Sequence, residues 1–173
     1  MAYLTESRIR AARASDKPYK LFDERGLHML VTPQGGRLWR LRYWLDGREK
    51  LLTLGAYPDV PLKRAREKRE EARKREQMND RVTMLRAFAL QAAKAQNWPE
   101  AIDQMQQAIH ICGQCAHGAL LHKNLAFFYR GTGRISDAKA ELEKAIALDP
   151  NDNNARKALA ALQNLQSPDS QYR

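Results

Sequence analysis

A two-residue turn between two alternating segments places the tightest limit on how this chain folds. Asp46-Gly47 separates residues 37–45 from residues 48–54, and in both segments apolar and polar side chains alternate. Both central positions of such a turn need positive φ, which Asp-Gly tolerates, so the pattern predicts a β-hairpin. Residues 27–32 predict a further strand, joined to the hairpin through residues 33–36. The expected sheet has three antiparallel strands.

The turn also fixes the register, and the register assigns side chains to faces. It pairs Leu45 with Arg48 and, further along, Trp39 with Leu54. The predicted core face carries five apolar side chains: Trp39, Leu41, Tyr43, Leu52 and Leu54. The opposite face carries Arg40, Arg42, Trp44, Leu51 and Thr53. Guanidinium groups suit phosphate or the O6/N7 edge of guanine, although a solvated outer face would show the same pattern.

Helices flank this sheet. Thr5 is a suitable cap for a short helix from Glu6 to about Ala12. Residues 61–79 predict a second helix, whose first turns pack on the sheet and whose later turns connect through solvent. Its narrow packing stripe consists of Leu62, Ala65, the stem of Arg69 and Ala72. Residues 1–78 are therefore expected to form an α+β domain.

The positive charge is concentrated in this domain. The chain carries a net charge of +10. Residues 1–78 hold 19 Lys and Arg against 11 Asp and Glu, whereas residues 79–173 hold 11 against 9. A concentrated positive field attracts polyanions, so nucleic acid is the first partner to consider, and a basic face that serves solubility is the alternative.

The stretch after the hairpin resembles a known family. Eight positions match its pattern: Leu52, Leu54, Gly55, Tyr57, Pro58, Leu62, Ala65 and Arg66. Upstream, Leu21 with Asp23 and Leu38-Trp39-Arg40 follow in the family's order. Residues 3–75 thus resemble the arm-type DNA-binding domain of prophage and genomic-island tyrosine recombinases. The resemblance implies that the sheet enters the major groove of double-stranded DNA, with contacts from Arg37, Arg40, Arg42, Trp44, Arg48 and Thr53.

A repeat of 34 residues organises the second half of the chain. Large, small and aromatic residues recur in residues 119–152 at the offsets of a tetratricopeptide repeat, which this segment resembles. A weaker copy spans residues 82–115, and residues 153–166 resemble the cap helix of such arrays. Residues 79–173 are therefore expected to form an all-α domain that contacts a protein or peptide, or a second copy of itself.

Four polar residues of these helices lie near positions that some tetratricopeptide proteins use to hold a peptide carboxylate. They are Arg86, Lys123, Asn124 and Lys157. Leu90 stands where an asparagine would complete the set, so a solvated basic patch is the alternative interpretation.

A cluster of cysteines and histidines raises the question of a metal. The four candidate ligands are His110, Cys112, Cys115 and His117, with His122 nearby. Two thiolates and two imidazoles suit tetrahedral Zn²⁺, which is the one cofactor that the sequence suggests. Against it, the chain has no second Cys-x-x-Cys, His122 takes a packing position of the repeat, and buried structural cysteines are common.

The sequence shows no catalytic constellation. Tyr172 lies near the C-terminus, as the recombinase nucleophile does, but it lacks the surrounding motif. No apolar run approaches the length of a membrane span, so we expect a cytoplasmic protein. Together with the resemblances above, the missing catalytic motif predicts a non-enzymatic DNA-binding protein with a protein-contact module. The alternative is a protein-interaction scaffold, derived from a decayed integrase fusion, that no longer binds DNA.

Overall fold

The computed structural model describes residues 3–45 and 48–164. The chain divides into two compact units, the first ending at Arg75 and the second beginning at Glu76. The Asp46-Gly47 turn lies outside the described residues, as do the end of the expected cap helix and Tyr172. We call the first unit the sheet unit and the second the helical unit.

The sheet unit contains one short helix and four strands before its long helix. The elements are α1 (Glu6–Ala11), β1 (Tyr19–Phe22), β2 (Leu27–Val31), β3 (Arg37–Leu45) and β4 (Arg48–Ala56). The strands form an antiparallel sheet in the order β1-β2-β3-β4. The expected architecture is confirmed with one strand more than predicted, because β1 has only four residues and its alternation is too short to recognise in the sequence.

The predicted register is correct for most of the hairpin. Leu45 pairs with Arg48, and the pairing continues as expected up to Arg40 with Thr53. A β-bulge between Trp39 and Arg40 then shifts the register, so that Trp39 pairs with Gly55. The predicted pairing of Trp39 with Leu54 is therefore wrong, since one extra residue of β4 is accommodated at the bulge.

The core of the sheet unit lies on the predicted face. Trp39 is fully buried, and its indole Nε1 donates a hydrogen bond of 2.7 Å to the Val60 carbonyl. The remaining core side chains come from the sheet, from α1, from the helix that follows the sheet and from the segments beside them: Leu4, Ile9, Ala12, Leu27, Met29, Val31, Leu41, Leu54, Val60, Leu62, Ala65 and Ala72. Tyr43 and Leu52 are half-buried against this cluster. The indole is thus satisfied in an apolar site where an unpaired N–H would be costly.

The long helix α2 spans Leu62–Lys94. The backbone N–H of Leu62, at its start, donates to the Glu6 carboxylate of α1 at 3.0 Å. The predicted packing stripe is confirmed, since Leu62, Ala65, Arg69 and Ala72 are all buried. The predicted end at Asn79 is wrong, because residues 79–82 contain no Pro or Gly that would interrupt the helix.

A buried carboxylate joins the elements of the sheet unit. The side chain of Asp23 is inaccessible to solvent and accepts hydrogen bonds from Arg66 Nε at 3.0 Å and Nη2 at 2.9 Å. It also accepts from the Leu4 backbone N–H, and Arg69 lies 3.6 Å away. Burial alone would raise the pKa of Asp23, but the hydrogen bonds and charges of Arg66 and Arg69 outweigh it and lower that pKa below its ordinary 3.8.

The helical unit continues from α2 with four further helices. They are α3 (Trp98–Cys112), α4 (Gly118–Gly131), α5 (Ile135–Leu148) and α6 (Asn153–Asn164). Small residues are buried wherever two helices pack closely, among them Ala101, Ala108, Ala126, Ala138 and Ala145. The phenol of Tyr129 accepts from Gln106 at 2.9 Å. The helical pattern predicted from the repeats is thus confirmed.

The two predicted repeats differ in how they bury equivalent residues. Leu125 of α4 is buried, whereas Phe88, at the same offset in α2, is 54% exposed. The core cluster of the helical unit includes Leu125 and, from α2, Val82, Ala89 and Ala93, whereas Phe88 lies outside it. In the part of the chain covered by the structure, no helix is both long and apolar enough to cross a lipid bilayer.

We expect Asp23→Asn to destabilise the sheet unit by about 3 kcal/mol, because it leaves two arginines beside a neutral side chain. Hydrogen exchange of the β2 and β3 amides in the full chain measures this. The pKa of Asp23 is lowered by folding, so its contribution is complete above pH 3.8 and declines as the pH falls below that value. The difference between wild type and variant should shrink in the same range.

Glu71→Gln is the matched control. Its carboxylate accepts from Arg64 at 2.9 Å, but both side chains are largely exposed. Exposed ion pairs add little to stability, so exchange should change little. An equal effect of the two substitutions would contradict the importance that we give to Asp23.

Candidate nucleic-acid interface

The outer face of the sheet, which we define by the side chains opposite the core, gathers most of the predicted DNA contacts. Arg40 pairs with Thr53 and Arg42 with Leu51 across β3 and β4. Trp44 continues the same row and is 66% exposed. Arg42 and Thr53 are exposed and Arg40 is half-buried. The sequence therefore placed these four side chains on the correct side of the sheet, and their contact with DNA stays a prediction.

The arginines of this face differ from those of α2 in their partners. Arg64, Arg66 and Arg69 each form an ion pair with a carboxylate. For Arg40 and Arg42, by contrast, the described residues provide no ion pair, and Arg40 Nε is a buried donor without a hydrogen-bond partner. Their positive charge is therefore available to a ligand.

Two predicted contact residues lie elsewhere. Arg37 lies on the inner side of β3, as Trp39 does, and its Nη2 donates to the Ala12 carbonyl at 3.2 Å. Its guanidinium carbon lies over the Tyr57 ring, 5.6 Å from the ring centroid. Arg48 is exposed, but its register places it on the side of Tyr43 and Lys50. The structure does not bring either residue to the outer face, and their role in DNA contact stays a prediction.

The outer face also includes residues that the sequence did not indicate. The burial of β1 alternates, so Lys20 and Phe22 point to this side, and Phe22 is 60% exposed. His28 of β2 lies between Phe22 and Arg40, its partners on either side. Recognising the alternation of residues 19–22 would have revealed Lys20 and Phe22, whereas the place of His28 follows only from the pairing of β2 with β3.

Glycine fixes the backbone of this face at one position. The Arg42 backbone N–H donates to the Gly26 carbonyl at 2.9 Å, and Gly26 has a φ of +83°. A Cβ at Gly26 would lie 2.0 Å from the Arg42 carbonyl oxygen. Close approach of the two backbones therefore requires glycine here.

The predicted peptide-contact residues of the helical unit differ in their surroundings. Arg86 Nε and Asn124 Nδ2 are buried donors without a hydrogen-bond partner. Lys123 instead pairs with Asp152, and Lys157 is exposed. A cavity of about 140 Å³ lies beside Lys123. Its wall is mainly apolar and consists of Ala126, Phe127, Leu142, Ala155, Ala158 and Leu162, with Lys123, Arg130 and Asn154 at polar positions.

The cysteines form a disulfide. Cys112 and Cys115 are joined across the loop between α3 and α4. His110 and His117, the other two candidate ligands, are exposed. Among the residues that the structure covers, no three His, Cys, Asp or Glu side chains converge as a metal site would require. Zinc binding thus stays a prediction that concerns the reduced thiols. His122 contacts Glu141 at 2.5 Å instead.

Comparison with known families agrees with both halves of this description. Residues 4–80 match the family described as "Arm DNA-binding domain". Residues 119–152 match "Tetratricopeptide repeat". The chain thus carries an integrase-type arm DNA-binding domain at its N-terminus and a tetratricopeptide repeat in its C-terminal half. The weaker copy at residues 82–115 stays a prediction.

Three relatives show the likeness of the N-terminal part. The integrase of Shigella phage Sf6 and the prophage integrase IntS of Escherichia coli K12 are each 48% identical over 71 residues, which is 41% of this chain. Prophage integrase IntZ of the same strain is 50% identical over 72 residues, or 40% of this chain. The chain spans only 18% of the length of each of these integrases.

We expect Gly26→Ala to disrupt the outer face by moving β2 away from Arg42. The cost should exceed that of positive φ alone, which is about 1–2 kcal/mol for a residue with a side chain. Gly35→Ala is the matched control, since Gly35 has a φ of +84° but nothing within 4 Å of an added Cβ. Thermal unfolding of the two full-length variants compares them directly. If both substitutions cost the same, the contact with Arg42 has no energetic weight.

Proposed function

We propose that this chain binds double-stranded DNA through the outer face of its sheet. One observation carries the proposal: an arm DNA-binding domain presents Arg40 and Arg42 side by side without ion-pair partners among the described residues. Phosphate and the guanine edge are natural ligands for such guanidinium groups. The unequal charge of the chain, concentrated before residue 79, supports the same partner.

The apolar side chains of this face fit a base-reading role. Trp44 and Leu51 are more than half exposed and flank Arg42. Apolar groups in the major groove contact the methyl group of thymine, so they would add sequence preference to the charge of the arginines. The same exposed groups also favour the rival proposal, a scaffold whose sheet contacts protein.

We further propose that the chain acts in the cytoplasm as a positioning module without catalysing strand transfer. The matched segment of the integrases is under a fifth of their length. In this chain the described residues after the arm domain complete α2 and form helices α3–α6, and residues 119–152 among them match a tetratricopeptide repeat. The context of such a module would be DNA integration or recombination in a mobile genetic element.

Arg40→Ala with Arg42→Ala should weaken binding of the full chain to duplex DNA and flatten its dependence on salt. Each lost phosphate contact lowers the slope of log affinity against log salt by about 0.9. Mobility shift at two salt concentrations measures both effects.

Denaturing gels of the same samples should show no covalent protein–DNA complex, and an adduct through Tyr172 would contradict the non-catalytic assignment.

The control is Lys74→Ala with Arg75→Ala, which removes the same charge from exposed positions of α2. It should weaken binding far less and leave sequence preference unchanged. Equal losses in the two double variants would mean that overall charge, not the outer face, binds DNA. No binding by the wild type at low salt would favour the scaffold.

We also propose a protein or peptide partner for the helical unit. The specific support is that two buried donors, Arg86 Nε and Asn124 Nδ2, have no acceptor. Buried polar groups are costly unless paired, so carbonyl or carboxylate oxygens of a bound segment would satisfy them. A second copy of the chain is the other source of such oxygens.

Asn124→Ala should weaken the binding of peptides selected from a displayed library by the full chain about tenfold, or about 1.4 kcal/mol. Gln104→Ala is the control, because Gln104 lies on α3 and contacts only Glu100 in the hydrogen bonds described. Light scattering of the full chain tests self-association. If no peptide is selected and the chain remains monomeric, the donors serve no partner of this kind.

A further inference from the structure

Two unsatisfied nitrogen atoms occur on directly opposed residues of the outer face. His28 of β2 pairs with Arg40 of β3. His28 Nε2 and Arg40 Nε are both buried, and neither has a hydrogen-bond partner. Opposed residues of antiparallel strands have Cβ atoms about 4.5–5.5 Å apart, so these side chains are immediate neighbours.

The hydrogen bond on the other side of the imidazole defines its tautomer. His28 Nδ1 lies 3.2 Å from the Gly26 carbonyl oxygen, which only accepts. Nδ1 therefore carries the proton, and Nε2 of the neutral ring is an acceptor. Arg40 Nε–H is always a donor, so the two unsatisfied atoms are complementary.

The surroundings keep this ring neutral. His28 is only 3% exposed, and burial is the largest cause that lowers its pKa below the ordinary 6.5. The charges that face it act in the same direction, namely Lys20 from β1 and Arg40 and Arg42 from β3. The Gly26 carbonyl opposes them but does not prevail. The acceptor is thus present at neutral pH.

We propose that His28 is a positioning residue for Arg40: its Nε2 accepts from Arg40 Nε and directs the guanidinium away from the sheet. With Nε occupied, the two terminal amino groups remain for an end-on, bidentate contact with guanine O6 and N7. The residue that faces Arg42 is Gly26, in the loop before β2. Glycine has no side chain that could accept a hydrogen bond from the Arg42 guanidinium. Arg40 is then the base reader, and Arg42 contacts phosphate.

The pair itself is tested on the free full-length chain by NMR of the arginine Nε–Hε groups. Arg40→Lys identifies the Arg40 signal. We expect that signal to be protected from solvent exchange and to shift at the titration midpoint of His28. Glutamine reaches the place of Nε2 without titrating, so His28→Gln should keep the protection and abolish the pH dependence. Asparagine reaches only the place of Nδ1, so His28→Asn should remove the protection.

Overall folding of each variant is checked by its backbone amide spectrum. An Arg40 signal that ignores pH, and that is equally protected in wild type and His28→Asn, would refute the pairing. If His28→Asn does not fold, the comparison of wild type with His28→Gln still decides, because only the wild type should titrate.

The DNA arm of the test rests on the proposed function and uses a duplex selected by the wild-type chain. His28→Asn should weaken binding about tenfold, as expected for loss of a hydrogen bond to a charged group. It should have no further effect in Arg40→Ala and should add to the effect of Arg42→Ala. His28→Gln should bind within about twofold of wild type.

The two arms separate the possible failures. If the NMR pair is present but Arg40→Ala leaves DNA affinity unchanged, the proposed DNA surface is wrong and the pairing stands. If Arg40→Ala weakens DNA binding while His28→Asn has the same effect with and without Arg40, the surface stands and the positioning role is refuted.

Discussion

The carboxylate of Asp23 is the point on which the sheet unit depends. It is buried, and it is held by Arg66, by the Leu4 backbone N–H and by the nearby Arg69. One charged group thus connects the start of the chain, the loop after β1 and the first turns of α2. A second polar contact, from the Leu62 N–H to Glu6, connects α1 and α2 again. These contacts fix the inner layer, and the opposite face of the sheet takes no part in them.

Much of this arrangement could be predicted because local rules and tertiary packing agree. The Asp46-Gly47 dipeptide gave the register near the turn, and alternation then assigned Trp39 and Leu41 to the core and Arg42 to the outside. The matching of Asp23 and Arg66 to a family pattern also has a physical basis, since they form the central ion pair. Residue offsets within a 34-residue segment predicted the repeat at residues 119–152. This prediction also has a physical basis, because small residues must recur where helices pack.

The features that the sequence did not reveal depend on contacts between distant residues. The bulge beside Trp39 arises where β4 must continue to Ala56 while the indole reaches Val60. The absence of Pro and Gly from residues 79–82 permits α2 to continue past Asn79, but it does not by itself predict how far the helix extends. His28 reads as an ordinary strand residue, and only the pairing of β2 with β3 places it beside Arg40.

Among the described residues, the polar contacts that join the elements of the sheet unit all lie within one short stretch of the chain. Those that join its elements run from Leu4 to Arg73, the last being the bond from Arg73 to the Arg25 carbonyl. Because these contacts end on α2, the sheet unit does not depend on the sequence that follows it. Different segments can follow such a unit, provided that the helix continues. In this chain the matched segment is joined to helices that include a tetratricopeptide repeat, whereas in the two integrases it makes up only 18% of the length.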